Sequence, residues 1–302
     1  MTRDIQPPVI PPDALDITAI ASARTLLIAL DFDGVIAPLQ DDPGSSAPLP
    51  ASADAVAALA ALPHTPVGYI SGRSIAVLQD LSDAPAGAIF IGSHGLETDF
   101  SALDPAHESL ATARRREYST PLTAAETATL AQLDAAFEEV RARTPAAGHG
   151  ELRIERKPLG RTAHTRGTSA ERAAFFTAEL TALAERMPQL RSFAGHAMTE
   201  FAVRMETKGH GLARMLEATS ADAVVFLGDD TTDEDAFAYL NERGDIASLP
   251  VKVGTQDTCA PFRIADPEAV STILARLAAE RGLHLGGGST GATGTAGAVS
   301  AS

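Results

Sequence analysis

The 302-residue chain carries 24 basic and 39 acidic residues, a formal net charge of −15, and 45% of its residues are hydrophobic. This excess of negative charge repels nucleic acids and anionic lipid surfaces, so neither is expected as a partner. No apolar run approaches the ~20 residues that a membrane span needs, and the single cysteine, Cys259, cannot form an internal disulfide. The sequence predicts a globular cytoplasmic protein with a substantial hydrophobic core.

The two ends of the chain differ in composition from the rest. The first 15 residues include four prolines and lack an apolar signal core, which predicts an extended segment over 1–15 rather than a targeting peptide. Residues 285–302 consist mostly of glycine, serine, threonine and alanine. Because ordering such a segment costs entropy and buries almost nothing, we predict a disordered tail over 285–302.

Four short apolar runs predict the strands of a parallel sheet. In chain order they are "TLLIAL" (25–30), "PVGYI" (66–70), "AIFI" (88–91) and "DAVVFL" (222–227). Alanine-rich stretches at 51–62 and 211–219 predict helices between them, and this alternation is typical of an α/β fold. We therefore predict a Rossmann-like parallel-sheet core formed by residues 16–100 and 207–284. In such a sheet ligands bind at the carboxyl ends of the strands.

The middle of the chain has a different pattern. Thr123 with Glu126, and Thr168 with Glu171, have the spacing of capping boxes and predict helices that end near residues 143 and 186. Strand candidates with alternating polar and apolar residues lie at 151–156, 162–166, 190–194 and 199–205. Such alternation indicates an antiparallel sheet with one solvated face. The sequence thus predicts an α+β cap domain, 101–206, inserted into the core.

Acidic residues follow two of the predicted core strands. Asp31 and Asp33 come directly after the first apolar run, and Asp229 and Asp230 follow the fourth. Two carboxylates separated by one residue can have different catalytic roles. The first can attack an electrophile, and the second can exchange protons with the leaving group. Four carboxylates at one sheet edge repel each other unless a cation lies between them. Mg²⁺ prefers such oxygen ligands and commonly bridges to a phosphate.

Two further residues complete the predicted site. Lys208 supplies a fixed positive charge, and Ser71 a hydroxyl with nearby backbone N–H groups, for the oxygens of a phosphoryl group. Taken singly, each feature has a structural explanation, because an Asp-x-Asp pair is often a turn and an acidic run is often a solvated helix start. Their common position at the predicted sheet edge favours phosphoryl transfer to Asp31.

Several motifs carry a resemblance to a known family. They are "DFDGVIAP" (31–38), "SGR" (71–73), "GSHGLE" (92–97), "IERKPLGRTAHTR" (154–166), "KG" (208–209) and "GDDTTDEDAF" (228–237). With these motifs the sequence resembles the haloacid dehalogenase-like phosphatases and, among them, the trehalose-6-phosphate phosphatases. The resemblance covers roughly residues 25–282, and the last motif is the most specific.

The resemblance implies a role for each core carboxylate. Asp31 would be the nucleophile and Asp33 the general acid and base. Mg²⁺ would be held by the Asp31 carboxylate, the Asp33 backbone carbonyl and Asp229. Asp230 and Asp233 would support the metal ligands.

The resemblance also implies the residues that bind substrate. Ser71 and Lys208 would bind the phosphate as part of the catalytic set, with Arg73 beside it. The remaining positions would contact the sugar or lie at the boundary of core and cap: His94, Gly95, Glu155, Lys157, Arg166 and Glu200.

Two positions depart from the family pattern. Val35 stands where a threonine is usual, and Ala202 and Val203 follow Glu200 where a basic residue and a proline are usual. Arg204 is the alternative candidate for that basic role. The departures leave the predicted catalytic residues unchanged but leave the register around Glu200 open.

The implied activity is Mg²⁺-dependent hydrolysis of trehalose 6-phosphate to trehalose and phosphate through an aspartyl-phosphate. This reaction belongs to trehalose biosynthesis, and the resemblance implies functional coupling to a trehalose-6-phosphate synthase. Two alternatives stay open. One is a related phosphatase for another sugar or glycosyl phosphate, such as sucrose 6-phosphate or a glucosylglycerol phosphate. The other is a catalytically dead member that regulates a glycosyltransferase.

Overall fold

A computed structural model describes residues 6–103, 121–195 and 197–287, which divide into two compact units. Residues 6–103 and 208–287 form the first unit, and residues 121–195 with 197–207 form the second. The helical turn Ser101–Leu103 belongs to the first unit, although it falls within the predicted insertion 101–206. In the ranges that the structure describes, no helix combines the length and apolarity needed to cross a membrane.

Strands and helices within these ranges are numbered in chain order. The strands are β1 Leu26–Leu30, β2 Val67–Ile70, β3 Ile89–Gly92, β4 Glu97–Asp99, β5 Arg153–Lys157, β6 Gly160–His164, β7 Arg191–Gly195, β8 Met198–Ala202, β9 Ala223–Gly228, β10 Ala247–Val253 and β11 Phe262–Ile264. The helices are α1 Thr18–Ala21, α2 Pro50–Ala60, α3 Ile75–Leu81, α4 Ala124–Ala142, α5 Ala170–Arg186, α6 Lys208–Thr219, α7 Glu234–Glu242 and α8 Pro267–Gly287.

The first unit is built on a sheet with strand order β11-β10-β9-β1-β2-β3-β4. All its pairings are parallel except that of β3 with β4, so the predicted parallel core is confirmed. The central strand β1 is completely buried, and it lies between β2 and β9, which are far apart in sequence. Because the chain order reverses beside β1, the carboxyl end of this strand opens into the crevice where α/β proteins bind ligands.

Apolar side chains of α6 and α7 pack against the sheet. Leu212 and Met215 of α6 and Phe237 of α7 belong to one buried cluster with Ile91 and Phe226. Burial of each large side chain stabilises the fold by about 1.5–3 kcal/mol. This packing fixes the amino ends of both helices beside the carboxyl ends of the strands, which is where the acidic residues lie.

The second unit is a four-stranded antiparallel sheet, in the order β5-β6-β8-β7, with α4 and α5 against one face. Ala163 and Phe201 of the sheet belong to the same apolar core as residues of both helices. Their chain neighbours Thr162 and Glu200 pair in register with each other, and Thr162 also pairs with Glu155. Since successive side chains of a strand alternate in direction, these three polar residues share the opposite face of the sheet.

The structure tests the two predicted capping boxes. The capping box of Thr123 and Glu126 is confirmed at the start of α4. The box predicted at Thr168 is wrong, because the N-cap of α5 is Ser169, whose Oγ accepts from Arg172 N, and the Thr168 hydroxyl donates to Thr165 O instead. Two adjacent hydroxyl residues compete for one cap position, and their spacing in sequence does not decide between them.

The predictions for the chain ends need correction as well. Residues Pro12–Ala14 form a short 3₁₀ helix inside the segment predicted to be extended. Helix α8 continues to Gly287, so the first three residues of the predicted tail are helical. Residues 288–302 of that tail, and residues 104–120 at the start of the predicted insertion, lie outside the described ranges.

Candidate active site

Asp31 follows directly on β1 and is buried at the carboxyl edge of the sheet. Its Oδ1 accepts a hydrogen bond of 2.7 Å from Phe32 N, and its Oδ2 lies 2.9 Å from Lys208 Nζ. Burial raises the pKa of Asp31 well above its ordinary value, while the nearby charge of Lys208 acts in the opposite direction. The side chain is therefore a carboxylate whose ionised form depends on the cationic groups around it.

Lys208 is the first residue of α6 and is only 2% exposed. Its ammonium lies 2.9 Å from Asp31 Oδ2 and 2.7 Å from Asp233 Oδ1. Burial alone would lower the pKa of Lys208, but the charges of Asp233 and Asp31 raise it well above its usual value. Lys208 is thus a fixed positive charge beside the predicted nucleophile.

The acidic loop after β9 is organised by Asp233. One oxygen of its carboxylate, Oδ1, binds Lys208, and the other, Oδ2, accepts from Asp229 N at 3.0 Å and from Asp230 N at 2.9 Å. The Asp230 carboxylate accepts from Thr231 N at 2.7 Å and caps the helical turn that begins there. Asp230 therefore shapes the loop as a helix cap, and Asp233 connects the loop to Lys208.

Three carboxylates at this edge form a group that fits a metal ion. One oxygen from each of Asp31, Asp229 and Asp233 can be chosen so that all three lie within 4.8 Å of one another. Burial and the charge of Asp233 raise the pKa of Asp229 to about 7, as expected for a carboxylate that has too little positive charge nearby. A donor set made only of carboxylate oxygens suits a hard divalent cation.

The turn after β2 carries the predicted phosphate-binding residues. Ser71 is buried, its Oγ accepts from Arg73 N at 3.2 Å, and its carbonyl accepts from His94 N at 3.0 Å. A Cβ atom on Gly72 would lie 2.4 Å from Cε1 of His94, so the imidazole packs directly on this turn. The Gly95 carbonyl accepts from Arg214 of α6. The structure therefore brings Ser71, His94 and Gly95 together.

Asp33, the predicted general acid and base, is held by an arginine. Arg73 Nε donates to Asp33 Oδ2 at 2.6 Å, and Arg73 Nη2 donates to Oδ1 at 2.7 Å. The family resemblance implies that Arg73 lies beside the phosphate, whereas in the structure its guanidinium binds the Asp33 carboxylate. The Ser46 hydroxyl also donates to Asp33 Oδ1, at 3.0 Å. Ser46 is absent from the sequence candidates because no motif marks it.

Lys252 of β10 is a second residue that the motifs do not indicate. It is fully buried, and its Nζ donates to the backbone carbonyls of Asp229 at 2.6 Å and Asp230 at 3.4 Å. A lysine inside the apolar run "LPVKV" was the available signal, since a buried ammonium needs acceptors. Lys252 therefore holds the backbone of the loop that carries the predicted metal ligand Asp229.

In the second unit, two of the four predicted sugar-binding residues pair with each other, and a third pairs with a histidine. Lys157 Nζ lies 2.5 Å from Glu200 Oε2, and both side chains are buried. Glu155 Oε2 lies 2.9 Å from His164 Nε2, and this hydrogen bond lowers the pKa of Glu155. Glu155, Lys157 and Glu200 share the sheet face opposite the helices. Arg166 is exposed and lies in the turn between β6 and α5.

The structure shows the environment of Val35 and of Arg204, which lie at the two departures from the family pattern. Val35 is fully buried in the first unit. Arg204 binds the Glu126 carboxylate, with Nε 2.8 Å from Oε1, and donates through Nη2 to the Pro121 carbonyl at 3.0 Å. Its guanidinium is thus used to hold the amino end of α4.

Comparisons with known proteins show the family to which the chain is similar. A family model described as trehalose-phosphatase matches residues 29–268. A probable trehalose-phosphate phosphatase 9 of Oryza sativa subsp. japonica is 26% identical over 86% of this chain and 72% of that protein. A trehalose-phosphate phosphatase of Mycobacterium leprae is 29% identical over 88% of this chain and 61% of that protein.

The fold is also found among solved structures. The C-terminal domain of a C. albicans trehalose-6-phosphate phosphatase superposes with a TM-score of 0.73 at 21% identity, over 92% of this chain and 99% of that one. At this identity the likeness shows the fold, while the family match extends over most of the sequence. From the matched residues and the shared α/β architecture, we conclude that the chain belongs to the trehalose-phosphatase family of haloacid dehalogenase-like phosphatases.

Proposed function

We propose that this protein hydrolyses trehalose 6-phosphate to trehalose and phosphate through a phosphorylated Asp31. The observation that carries the proposal is the buried Asp31 carboxylate at the end of β1, with Lys208 Nζ 2.9 Å from its Oδ2 and the carboxylate of Asp33 two residues further on. A nucleophile, a fixed cation and a proton-transfer group are thus held on one loop and one helix end.

In the first step a carboxylate oxygen of Asp31 forms a bond to phosphorus, and the bond between phosphorus and the sugar oxygen breaks. Asp33 in its protonated form gives its proton to the departing sugar oxygen, which leaves as a hydroxyl. Lys208 and the Ser71 turn bind the phosphoryl oxygens and stabilise the charge that develops on them. Trehalose departs, and Asp31 carries the phosphoryl group.

In the second step a water oxygen forms a bond to phosphorus, and the bond between phosphorus and the Asp31 oxygen breaks. The carboxylate of Asp33 takes a proton from the attacking water. Inorganic phosphate is released and the Asp31 carboxylate is restored. The proton that Asp33 gave in the first step is thereby replaced, so both residues return to their starting forms.

The same carboxylates would hold Mg²⁺. Asp31 and Asp229 would ligate it together with the Asp33 backbone carbonyl, while Asp233 supports the loop through Lys208 and two backbone amides. When bound, the ion supplies charge neutralisation for the phosphoryl oxygens. The residues of this chain fix where that charge is placed.

We propose that the polar face of the second unit binds the sugar of the substrate. Glu155, Lys157 and Glu200 project from this face in adjacent rows, and such groups match the hydroxyls of a disaccharide. Another sugar phosphate would fit the same chemistry. The proposed coupling to a trehalose-6-phosphate synthase and the cytoplasmic location rest on the sequence analysis alone.

The test is phosphate release from a panel of sugar phosphates, with and without Mg²⁺, by the wild type and by Asp31→Asn. Because an amide cannot act as the anionic nucleophile, the variant should lose turnover by at least about a thousandfold and still fold. Asp54→Asn, an exposed aspartate of α2, is the matched control and should retain full activity. Near-normal turnover by Asp31→Asn would contradict the covalent mechanism, and preference for another sugar would correct the substrate.

A further inference from the structure

The Asp33 carboxylate is one corner of a closed hydrogen-bonded triangle. Arg73 donates to both of its oxygens, and the Ser46 hydroxyl donates to Oδ1 at 3.0 Å. Arg73 Nη2 in turn donates to Ser46 Oγ at 2.9 Å. A hydroxyl has one proton to give and can accept at the same time, so all contacts of the triangle are compatible.

The three corners come from three separate loops and are held firmly. Asp33 follows β1, Ser46 precedes α2, and Arg73 follows β2. Ser46 is 3% exposed. The Arg73 guanidinium lies over the Phe32 ring, 5.7 Å from its centroid, which adds a cation–π contact. Since none of these contacts is local in sequence, the triangle is a product of the folded core.

The triangle leaves the two oxygens of Asp33 unequal. Oδ1 accepts two hydrogen bonds from the described residues, which use both of its acceptor positions. Oδ2 accepts one, from Arg73 Nε, so one acceptor position remains on it within the part of the chain that the structure describes. A water proton can therefore be accepted at Oδ2 without breaking any of these contacts.

We propose that Ser46 is a positioning residue which, with Arg73, orients Asp33 so that Oδ2 takes the proton from the attacking water in the second chemical step. This inference rests on the proposed function. As the water oxygen bonds to phosphorus, its proton goes to Oδ2 and the electron pair of the broken bond returns to Asp31. Ser46 touches neither the phosphoryl group nor the water in this arrangement and acts only through Asp33.

The two chemical steps can be separated with p-nitrophenyl [³²P]phosphate. Nitrophenolate leaves without needing a proton, so phosphorylation of Asp31 does not depend on Asp33 with this substrate. Rapid acid quench gives the rate at which labelled protein appears and the rate at which it decays. Ser46→Ala should slow the decay about tenfold, because a hydrogen bond to a charged group is lost, and should leave the appearance within about twofold of wild type.

Two companion variants exclude a general structural effect. Ser46→Thr keeps the hydroxyl and should restore most of the decay rate. Ser45→Ala removes the neighbouring exposed hydroxyl, which donates to the Asp42 carbonyl at 2.8 Å, and should change neither rate. If Ser46→Ala slows both steps equally or leaves both unchanged, the positioning role is overturned.

The same measurement separates this inference from the proposed function. If the wild type forms labelled protein and the label of Ser46→Ala decays at the wild-type rate, only the role of Ser46 is refuted. If the wild type forms no labelled protein during turnover, the covalent mechanism is wrong and the role of Ser46 falls with it.

Discussion

The carboxylate of Asp229 occupies the space that a side chain at Gly34 would need. A Cβ atom on Gly34 would lie 2.1 Å from Asp229 Oδ2, far inside contact distance. Gly34 also has a φ of 76°, in the left-handed region that residues with a side chain rarely adopt. This close approach brings the loop of Asp31 and the loop of Asp229 to one site.

Gly34→Ala should therefore abolish most activity. The methyl group would displace Asp229, and we expect a loss of at least about a hundredfold in kcat/KM for trehalose 6-phosphate. Gly87→Ala is the matched control, because Gly87 has a φ of 92° but nothing within 4 Å of the added atom. Both variants should lose about 1–2 kcal/mol of unfolding free energy from the backbone conformation. Equal activities of the two variants would show that Asp229 tolerates displacement.

Lys252→Met should weaken Mg²⁺ binding. Without the ammonium, the carbonyls of Asp229 and Asp230 lose a buried donor, at a cost of about 1–3 kcal/mol, and the loop that carries Asp229 should shift. We expect the dissociation constant for Mg²⁺, measured by calorimetry, to rise about tenfold or more. Arg243→Met, which removes a partly exposed cation paired with Asp245, should bind the ion normally. Unchanged affinity in Lys252→Met would refute this role.

Glu155→Gln should change substrate choice rather than general activity. The side chain is about half exposed, so its loss should leave the fold intact while one hydrogen bond to the sugar is weakened. We expect kcat/KM for trehalose 6-phosphate to fall about ten- to a hundredfold, with p-nitrophenyl phosphate hydrolysed normally. Glu171→Gln, at an exposed site of α5, should affect neither substrate. A parallel loss of both activities in Glu155→Gln would exclude a role in recognition.

Glu200→Gln should differ from Glu155→Gln in its effect on stability. Glu200 is 2% exposed and pairs with the buried Lys157, so the substitution leaves that ammonium beside a neutral amide. The melting temperature should therefore fall along with activity toward the sugar phosphate. An unchanged melting temperature would show that Lys157 finds another partner.

The ion pair of Glu126 and Arg204 should make stability depend on pH. The hydrogen bond from Arg204 lowers the pKa of Glu126 to about 2, against 4.5 for the ordinary group. Because the folded-state pKa is the lower one, the stabilisation is complete above about pH 4.5 and is lost as the pH falls toward 2. We expect wild type to exceed Glu126→Gln by about 1 kcal/mol at pH 7, and the gap to close by pH 2.

Thermal unfolding of the whole chain, followed by circular dichroism at several pH values, would measure this difference. Glu138→Gln is the control, since the pair that Glu138 forms with Arg141 within α4 is exposed. A gap between wild type and Glu126→Gln that persists at pH 2 would contradict the assignment.

Four of the parallel strands, β1, β2, β3 and β9, were predictable because each is a continuous apolar run, and the acidic residues were predictable because they follow two of these runs. Strand β10 was not, since Pro250 and Lys252 interrupt its apolar pattern although Pro250 pairs with Phe226 inside the sheet. Proline is rarely found in a central strand, because it cannot donate to the ladder. Lys252 interrupts the apolar pattern of β10 because its ammonium donates to the backbone carbonyls of Asp229 and Asp230 in the acidic loop.

The contacts around Asp33 could not be predicted from sequence. Ser46 and Arg73 are 13 and 40 residues away from it, and no periodicity connects such positions. Motifs place Asp33 and Arg73 near one sheet edge, but only the folded loops show that they bind each other. The hydroxyl of Ser46 becomes significant only through that contact.

The burial of Lys208 has a chemical consequence that extends to the other lysines. The chain contains three lysines, Lys157, Lys208 and Lys252, and all of them are buried, so no lysine ammonium is exposed at the surface. Reagents that acylate primary amines therefore have no exposed lysine side chain to attack in the folded protein. Acylation of Lys208 requires its contacts with Asp31 and Asp233 to open, so the rate of this modification would report how often the active site opens.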